Sequence, residues 1–293
     1  MNSYQSSTAF RRALEERLLM RSLTSGSPLA RLRKTIAFDR FLARLVHYDP
    51  NRWVLKGGYA IQLRIIEKAR TTKDIDLLAI AEYPELLVLL RAACKLDLGD
   101  WFQFEVNHAG DPIANEFGGN RFSVHSMLDG RRFEDFHLDI GTGDRILDPV
   151  DYLAGTPLLD FAGIQPALIP CYPINQQIAE KVHAYTRPRA SGESSRVKDF
   201  VDILLLAELD DTDAGRLKEA IHATFSTRRT HRLPQEMPDP PAAWVKTFQK
   251  LAAEVTLNYQ TLEEANIFFK RFLDPILSDE VLLKWHPDRW GWE

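Results

Sequence analysis

WVLKGGYAIQLRIIEKARTTKDIDLLAI, residues 53–80, is the stretch that decides the fold of this chain. A short apolar run ends at Gly57 and Gly58, and a stretch with a helical pattern follows. A second apolar run then contains Asp74 and Asp76. Adjacent glycines allow a tight turn from a strand into a helix, and residues two apart in a strand point to the same side. The stretch therefore predicts a strand–turn–helix–strand unit that carries two carboxylates side by side.

The two aspartates predict a metal site. Neighbouring carboxylates repel each other, and both stay ionised only when an opposite charge compensates them. Mg²⁺ is a suitable partner, since it binds one or two carboxylates together with substrate phosphates and water. The alternative is a polar strand face with both aspartates in water, because a bare D-x-D pattern occurs often by chance.

The glycine pair adds a phosphate site to this prediction. Backbone without side chains lets a phosphate approach closely, and a helix N-terminus presents N–H groups and a positive dipole end. Together with the aspartates, the pair predicts a site that holds a nucleotide by its phosphates and bridges them to metal. An ordinary tight turn is the alternative. Neither the Walker A pattern nor the Rossmann glycine pattern is present.

A third carboxylate is predicted in FHLDIGTGD, residues 136–144. Asp139 lies between Leu138 and Ile140, and a charge inside an apolar strand is costly unless it is paired or metal-bound. Placed beside the first two aspartates, Asp139 could bind a second metal and act as the base for an attacking hydroxyl. The alternative is a hydrogen-bonded aspartate at the end of a strand.

The patterns along the rest of the chain predict an α+β fold. Residues 10–48 follow an amphipathic helical pattern, strands and helices alternate up to about residue 150, and the remainder is mostly helical. Five prolines between residues 149 and 173 favour a boundary there. The predicted divisions are an N-terminal helical segment (1–50), an α/β core with a mixed sheet (51–150) and a helical C-terminal domain (151–293).

The composition favours a cytoplasmic protein. A net charge of −4 over 293 residues does not indicate a general nucleic-acid coat protein. The apolar runs are shorter than the roughly 20 residues that span a bilayer, and no membrane partner is predicted. Cys94 and Cys171 are isolated, which favours a reducing compartment. The tail, KWHPDRWGWE, is predicted to be held by aromatic packing, with an interaction surface as the alternative.

The sequence resembles a known family at two places. LKGGYAIQLR followed by RTTKDIDLLAI, and QQIAEKVHAYTRPRASGESSRVKDFVDILLL at residues 176–206, resemble the AbiEii/AbiGii-type nucleotidyltransferase toxins, which include the MenT-like toxins of bacterial toxin–antitoxin systems. The second motif is a lysine on one helix, a loop, and then an R-x-K-D-x-x-D segment. The resemblance identifies the mixed-sheet core as a nucleotidyltransferase core. Gly58 departs from the pattern, since many relatives have a serine or another small residue there.

The resemblance implies a role for each matching position. Lys56, Gly57 and Gly58 would hold the nucleotide, and Asp74, Asp76 and Asp139 would bind Mg²⁺. Lys181 would reach the triphosphate, Lys198 would also bind the nucleotide, and Asp199 or Asp202 would orient it or take part in the site. From the residues alone, Lys181 could be a solvated lysine, and Lys198 with Asp202 a surface ion pair. Arg187 and Arg189, on the loop between the motif helices, are predicted to contact RNA phosphates.

The implied activity is Mg²⁺-dependent transfer of a nucleotide from an NTP to an acceptor, with release of pyrophosphate. In MenT-like relatives the acceptor is the 3′ end of tRNA, whose modification blocks translation, and a separate cognate antitoxin is expected. A non-catalytic nucleotide-binding regulator is an alternative, although a pure binder would not need a third carboxylate. Transfer to a protein or to a small molecule is the other alternative.

Overall fold

The chain is divided between two units, each described below by itself. The computed structural model describes residues 4–66, 70–79, 85–109, 119–143, 146–147, 149–188, 196–278 and 280–293. Unit 1 consists of the described parts of Met1–Leu63, Thr71–Asp144 and Asp151–Cys171. Unit 2 consists of the described parts of Arg64–Arg70, Arg145–Val150 and Tyr172–Glu293.

Unit 1 is built on a sheet of seven described strands. They are β1 (Trp53–Lys56), β2 (Asp74–Ala79), β3 (Phe102–His108), β4 (Gly119–Leu128), β5 (Arg131–Gly141), β6 (Asp151–Ala154) and β7 (Leu168–Cys171). Their order in the sheet is β3-β4-β5-β2-β1-β7-β6. The pairs β2–β5 and β1–β7 are parallel and the other neighbours are antiparallel, so the predicted mixed sheet is confirmed.

Four helices accompany this sheet. They are α1 (Ser7–Ser25), α2 (Leu29–Tyr48), α3 (Gly57–Ile65) and α4 (Glu85–Cys94). The predicted helical stretch of residues 10–48 consists of two helices, because Gly26 caps the end of α1 and Pro28 precedes the first turn of α2. Gly26 takes the left-handed conformation, with φ of +71°, that commonly terminates helices.

One face of the sheet supplies the core of unit 1. Apolar side chains alternate with polar ones along β3, β4 and β5, as residues in strands must when one face is buried. The buried set packs with residues of α1, α2 and α4, such as Phe41 of α2, and includes Leu55, Leu77, Phe104, Phe122, Val124, Phe136, Leu138 and Ile140. The other face of the sheet carries Lys56, Asp74, Asp76 and Asp139.

A β-bulge sets the register of the β4–β5 hairpin. The turn at Asp129 and Gly130 has positive φ at both residues, +53° and +66°. Beyond it, Met127 pairs with Arg132 but Ser126 pairs with Glu134, so Phe133 is an extra residue in β5. The buried Ser126 hydroxyl donates to the Glu134 carbonyl at 2.8 Å and accepts from the Glu134 N–H at 3.0 Å.

Unit 2 is mainly helical, as predicted for this part of the chain. Its helices are α5 (Ile174–Thr186), α6 (Val197–Ala207), α7 (Ala214–Arg228), α8 (Val245–Glu254) and α9 (Leu262–Leu277). A three-stranded sheet was not predicted. It consists of β8 (Thr212–Asp213), β9 (Lys284–His286) and β10 (Gly291–Trp292). Its strands are two or three residues long, too short for a period-2 pattern.

The structure divides the chain differently from the three predicted segments. Helices α1 and α2 share the core of unit 1 and are not a separate N-terminal segment. Strands β6 and β7, predicted as part of the helical domain, pair with each other and extend the sheet beyond β1. Unit 1 ends at Cys171, so its last boundary lies within the predicted range of residues 149–173, about 20 residues beyond the division drawn at residue 150. Among the residues that the structure describes, every helix falls short of the length and apolar character that a bilayer crossing requires.

Aromatic packing holds the C-terminal tail, as predicted. Trp285 is fully buried, and its ring centroid lies 4.9 Å from that of Phe272. Its indole N–H donates to the Ala207 carbonyl at 2.9 Å. The Trp292 indole donates to the Phe272 carbonyl at the same distance, and Trp290 packs edge-on against Trp285.

We expect Trp285→Ala to destabilise unit 2 by about 3–5 kcal/mol, because it leaves a large cavity and an unpaired Ala207 carbonyl. Leu283→Ala, immediately before the tail, is the control, since Leu283 is 68% exposed and its truncation should cost under about 0.5 kcal/mol. Urea unfolding followed by circular dichroism measures both. Similar losses in the two variants would contradict the packing role of Trp285.

Candidate functional site

Four charged residues form one row across four adjacent strands of unit 1. Lys56 on β1 pairs with Asp76 on β2. Asp76 pairs with Asp139 on β5, which in turn pairs with Arg121 on β4. Residues opposite each other in neighbouring strands share a face. The row therefore places two carboxylates between two cations, and Asp74 lies on the same face two residues before Asp76.

Arg121 holds Asp139 through two hydrogen bonds. Its Nε donates to Oδ1 at 2.7 Å, and its Nη2 donates to Oδ2 at 2.6 Å. Such bidentate pairs between guanidinium and carboxylate are among the strongest polar contacts in proteins. The hydrogen bonds to Asp139 raise the pKa of Arg121, and the charges of Asp74 and Asp76 act in the same direction. Arg121 therefore compensates the cluster of carboxylates.

Gly57 lies directly against Asp76 at the start of α3. Its φ of +68° belongs to the left-handed region, which glycine adopts without strain. A Cβ at this position would lie 2.0 Å from Oδ2 and 2.6 Å from Cγ of Asp76. The Asp76 carboxylate is thus seated at the helix N-terminus, where the dipole favours a negative charge. A glycine is required here both for its conformation and for its lack of a side chain.

Lys56 extends over the sheet toward β5. Its Nζ lies 3.3 Å from the point where a Cβ on Gly141 would be. Gly141 follows Asp139 by two residues and so lies on the same face. The missing side chain of Gly141 therefore leaves room for the Lys56 ammonium near the carboxylate row.

The carboxylates of unit 1 fit a magnesium ion in part. Asp74 and Asp76 share a face, which matches the one or two carboxylates that Mg²⁺ uses when phosphates and water complete its shell. Asp139 is adjacent, but both of its oxygens already accept hydrogen bonds from Arg121. Within the described ranges, no group of three or more His, Cys, Asp or Glu side chains is arranged to hold a metal. The two-carboxylate pair fits the ion, and a third ligand would require Arg121 to share Asp139.

In unit 2, Lys181 belongs to a buried network of charges. Its Nζ donates to Asp202 Oδ2 at 2.7 Å and to Asp199 Oδ1 at 3.1 Å. Arg70 binds the same Asp202 carboxylate with two bonds of 3.0 and 2.8 Å. Arg196 approaches Asp199 at 3.5 Å. Asp202 is 1% exposed and Lys181 7%, so the centre of the network is shielded from water, whereas the Arg196 side chain at its edge is 40% exposed.

The charges of this network are stabilised by their pairing. Burial alone would raise the pKa of Asp202, but Lys181 and Arg70 outweigh it and the pKa is lowered. Burial would likewise lower the pKa of Lys181, but Asp202 and Asp199 outweigh it and the pKa is raised. Both groups therefore stay charged at neutral pH, in keeping with the need of buried charges for partners.

Comparison with known proteins decides the family. Residues 40–283 match the family model described as "Nucleotidyl transferase AbiEii toxin, Type IV TA system". The chain belongs to this family. It is a nucleotidyltransferase of the toxin type, and its membership implies an NTP substrate and a cognate antitoxin.

Several solved structures are similar to this AbiEii-family chain, and two of them are compared with it below. The nucleotidyltransferase toxin MenT4 from Mycobacterium tuberculosis is 17% identical, with 89% of this chain and 97% of that chain covered and a TM-score of 0.53. JHP933 from Helicobacter pylori is also 17% identical, with 86% and 94% covered and a TM-score of 0.47. No curated protein matches in sequence. At this level of identity the likeness to MenT4 supports the fold, and the predicted family and fold class are confirmed.

The predicted site residues of this toxin are divided between the two units. Lys56, Gly57, Gly58, Asp74, Asp76 and Asp139 lie in unit 1, and Lys181, Arg187, Lys198, Asp199 and Asp202 lie in unit 2. Arg189 lies outside the described residues. The nucleotide, metal and RNA roles given to these residues stay predictions.

Two alternatives from the sequence are corrected by the contacts in unit 2. Lys181 is not a solvated lysine, since it is buried against two aspartates. Lys198 and Asp202 do not form a surface ion pair, because Asp202 is turned inward to Lys181 and Arg70 while Lys198 is exposed.

Sequence reasoning missed Arg121 and Arg70. Arg121 begins a strand segment, RFSVHSML, whose alternation places it on the polar face, but nothing in that segment gives its partner. Arg70 lies 132 residues before Asp202 in the chain. Local patterns predict which face a residue occupies, whereas both of these pairs depend on long-range register.

We expect Gly57→Ala to cost about 3 kcal/mol, because the new Cβ would overlap the Asp76 carboxylate as well as strain the backbone. Gly26→Ala isolates the backbone strain, since Gly26 has φ of +71° and no atom lies within 4 Å of the point where its Cβ would be. That control should lose only about 1 kcal/mol. Urea unfolding measures both, and equal losses would show that Asp76 does not confine Gly57.

We expect Asp202→Asn to cost about 3–5 kcal/mol at pH 7, because Lys181 and Arg70 would remain buried without their shared carboxylate. Asp239→Asn is the control, since it breaks an ion pair with Lys270 in which Asp239 is 72% exposed, and it should cost under about 1 kcal/mol.

The destabilisation by Asp202→Asn should also depend on pH. The pKa of Asp202 is lowered in the folded chain, so its stabilisation is complete above the ordinary carboxyl pKa of about 4 and is lost as the pH falls through the folded value. The difference between wild type and variant should therefore shrink below about pH 4. Urea unfolding at several pH values measures it, and a constant difference would argue against a paired, ionised Asp202.

Proposed function

We propose that this chain transfers a nucleotide from an NTP to the 3′ end of tRNA in a Mg²⁺-dependent reaction, and thereby blocks translation. The observation that carries the proposal is the seat of Asp76 against Gly57, at the N-terminus of α3, with Asp74 on the same face. This arrangement joins a carboxylate pair to the part of a helix that receives phosphates. The tRNA acceptor is taken from the family resemblance.

Each residue of unit 1 has a proposed task. Asp74 and Asp76 would hold Mg²⁺, which when bound neutralises phosphate charge and polarises the phosphoryl oxygen. The backbone N–H groups of Gly57 and Gly58 would bind nucleotide phosphates, with Lys56 as a nearby cation. Asp139, oriented by its two hydrogen bonds from Arg121, would accept the proton of the attacking hydroxyl.

The proposal extends to partners and compartment. Lys181, Lys198, Asp199 and Asp202 carry the family motif in unit 2, and we propose that they support nucleotide binding. Arg187 and Arg189 would contact RNA phosphates, for which guanidinium groups are well suited. A cognate antitoxin protein would neutralise the toxin, and the reaction would take place in the cytoplasm, where NTPs and tRNA are available.

The test is a transfer assay with purified protein, Mg²⁺, total tRNA and each α-labelled NTP in turn. We expect wild-type protein to label tRNA, and Asp76→Asn to reduce labelling by more than about 100-fold, because a group that stabilises developing charge is lost. Asp135→Asn is the matched control. It removes a carboxylate from the same strand as Asp139 that is paired with Arg132 and His125, and labelling should be retained.

The acceptor is tested by oxidising the terminal ribose of tRNA with periodate, which removes the 3′ hydroxyl. We expect oxidised tRNA to take no label. Label that persists on oxidised tRNA would refute the 3′ end as the acceptor. Label on the protein or on a small molecule would refute tRNA, and the binding of NTP without any transfer would refute the enzymatic proposal.

A further inference from the structure

Arg121 is placed to control how Asp139 meets a cation. Its guanidinium occupies both oxygens of Asp139, at 2.7 and 2.6 Å. The pair is partly shielded from water, with 36% of the Arg121 side chain and 22% of the Asp139 side chain exposed. Asp139 is also the direct neighbour of Asp76 in the parallel ladder. A cation bound by Asp76 would therefore find the adjacent carboxylate already paired.

Two physical effects oppose each other at this position. Without a counter-charge, the neighbouring carboxylates of Asp139 and Asp76 would repel each other. The positive charge of Arg121 offsets this repulsion, but its guanidinium occupies the oxygens of Asp139 that a divalent ion would use. The arginine thus relieves the repulsion within the row while limiting access to Asp139.

We propose that Arg121 is a positioning residue that acts through Asp139 and sets the affinity of the carboxylate cluster for divalent metal. The inference rests on the metal site of the proposed function. A divalent ion can use Asp139 as a third ligand only if it displaces at least one of the hydrogen bonds from Arg121. The Arg121–Asp139 pair therefore lowers the affinity of the cluster for the ion. Arg121 itself needs no contact with the nucleotide or with the metal.

The sheet provides a matched pair for comparison. Arg132 and Asp135 lie on the same two-stranded hairpin and are joined at 2.7 Å, but both side chains are about half exposed. Asp135 precedes Asp139 by four residues, so the two lie about 13 Å apart along the strand. Loss of Arg132 therefore removes an arginine and an ion pair from the sheet without changing the row.

The test measures Mn²⁺ binding to nucleotide-free protein by the electron paramagnetic resonance signal of the free ion. We expect Arg121→Gln to bind Mn²⁺ about tenfold more tightly than wild type, because a competing cation next to the cluster is removed. Arg121→Lys, which keeps the charge, should stay within about threefold of wild type, and Arg132→Gln should not differ from it. Circular dichroism confirms that each variant is folded.

Repeating the measurement in a variant that lacks the Asp139 carboxylate shows whether Arg121 acts through Asp139. In Asp139→Asn protein, the further change Arg121→Gln should alter Mn²⁺ affinity by less than about threefold, because the residue through which Arg121 acts is gone. An undiminished tenfold effect would overturn the positioning role. Equal affinity of wild type and Arg121→Gln, including no detectable binding by either, would overturn the inference as a whole.

The Mn²⁺-binding measurement and the transfer assay can fail independently of each other. A wild-type protein that binds Mn²⁺ more weakly than Arg121→Gln but transfers no nucleotide would refute the proposed function and support the inference. A protein that labels tRNA through Asp76 but binds Mn²⁺ equally with and without Arg121 would support the function and refute the inference.

Discussion

The parallel pairing of β2 with β5 is the constraint on which unit 1 depends. It places Asp76 directly beside Asp139, and like charges at that separation destabilise a sheet unless other charges compensate them. The two strands that flank the pair supply those charges, Lys56 from β1 and Arg121 from β4. The order of the strands is therefore favourable electrostatically as well as for packing, because the strands on either side of β2 and β5 each bring a cation to the same face.

The charged row of unit 1 and the buried network around Asp202 in unit 2 differ in their balance of charge, as their different burial requires. In unit 1 the carboxylates Asp74, Asp76 and Asp139 outnumber the cations Lys56 and Arg121, and the residues are only partly buried. Such a surplus of negative charge is tolerable near water and attracts a further cation. In unit 2 Asp202 is fully enclosed and has two cationic partners, Lys181 and Arg70. With fewer cationic partners, burying this carboxylate would cost more folding free energy.

The sequence predicted those parts of the site that depend on local periodicity. The period of a strand put Asp74 and Asp76 on one face, and the glycine pair marked the turn into α3. The break at Gly26 also had a visible signal, glycine followed closely by proline, which the continuous amphipathic pattern obscured. The division into units was missed because β6 and β7 join the sheet through pairings that no local pattern encodes.

Arg121 shows most directly why the remainder could not be predicted. An Asp-Gly turn at residues 129 and 130 is a strong hairpin signal, and a regular ladder drawn from it would pair Arg121 with Leu138. Arg121 and the apolar Leu138 would then share a face, and one of them would have to leave the face that its own strand's alternation assigns to it. The extra residue at Phe133 moves the register by one and pairs Arg121 with Asp139. A bulge of this kind leaves no reliable trace in sequence.

The bulge also limits how this hairpin can change in evolution. Surface turns usually tolerate insertions and deletions of any length. Within the strands the spacing is more restricted. Unless another bulge absorbs it, an insertion or deletion of one residue in β5 between the turn and Asp139 would exchange the two faces of the strand beyond it, and Arg121 would lose Asp139 while apolar side chains left the core. The number of residues between the turn and the acidic row is thus inherited as part of the site.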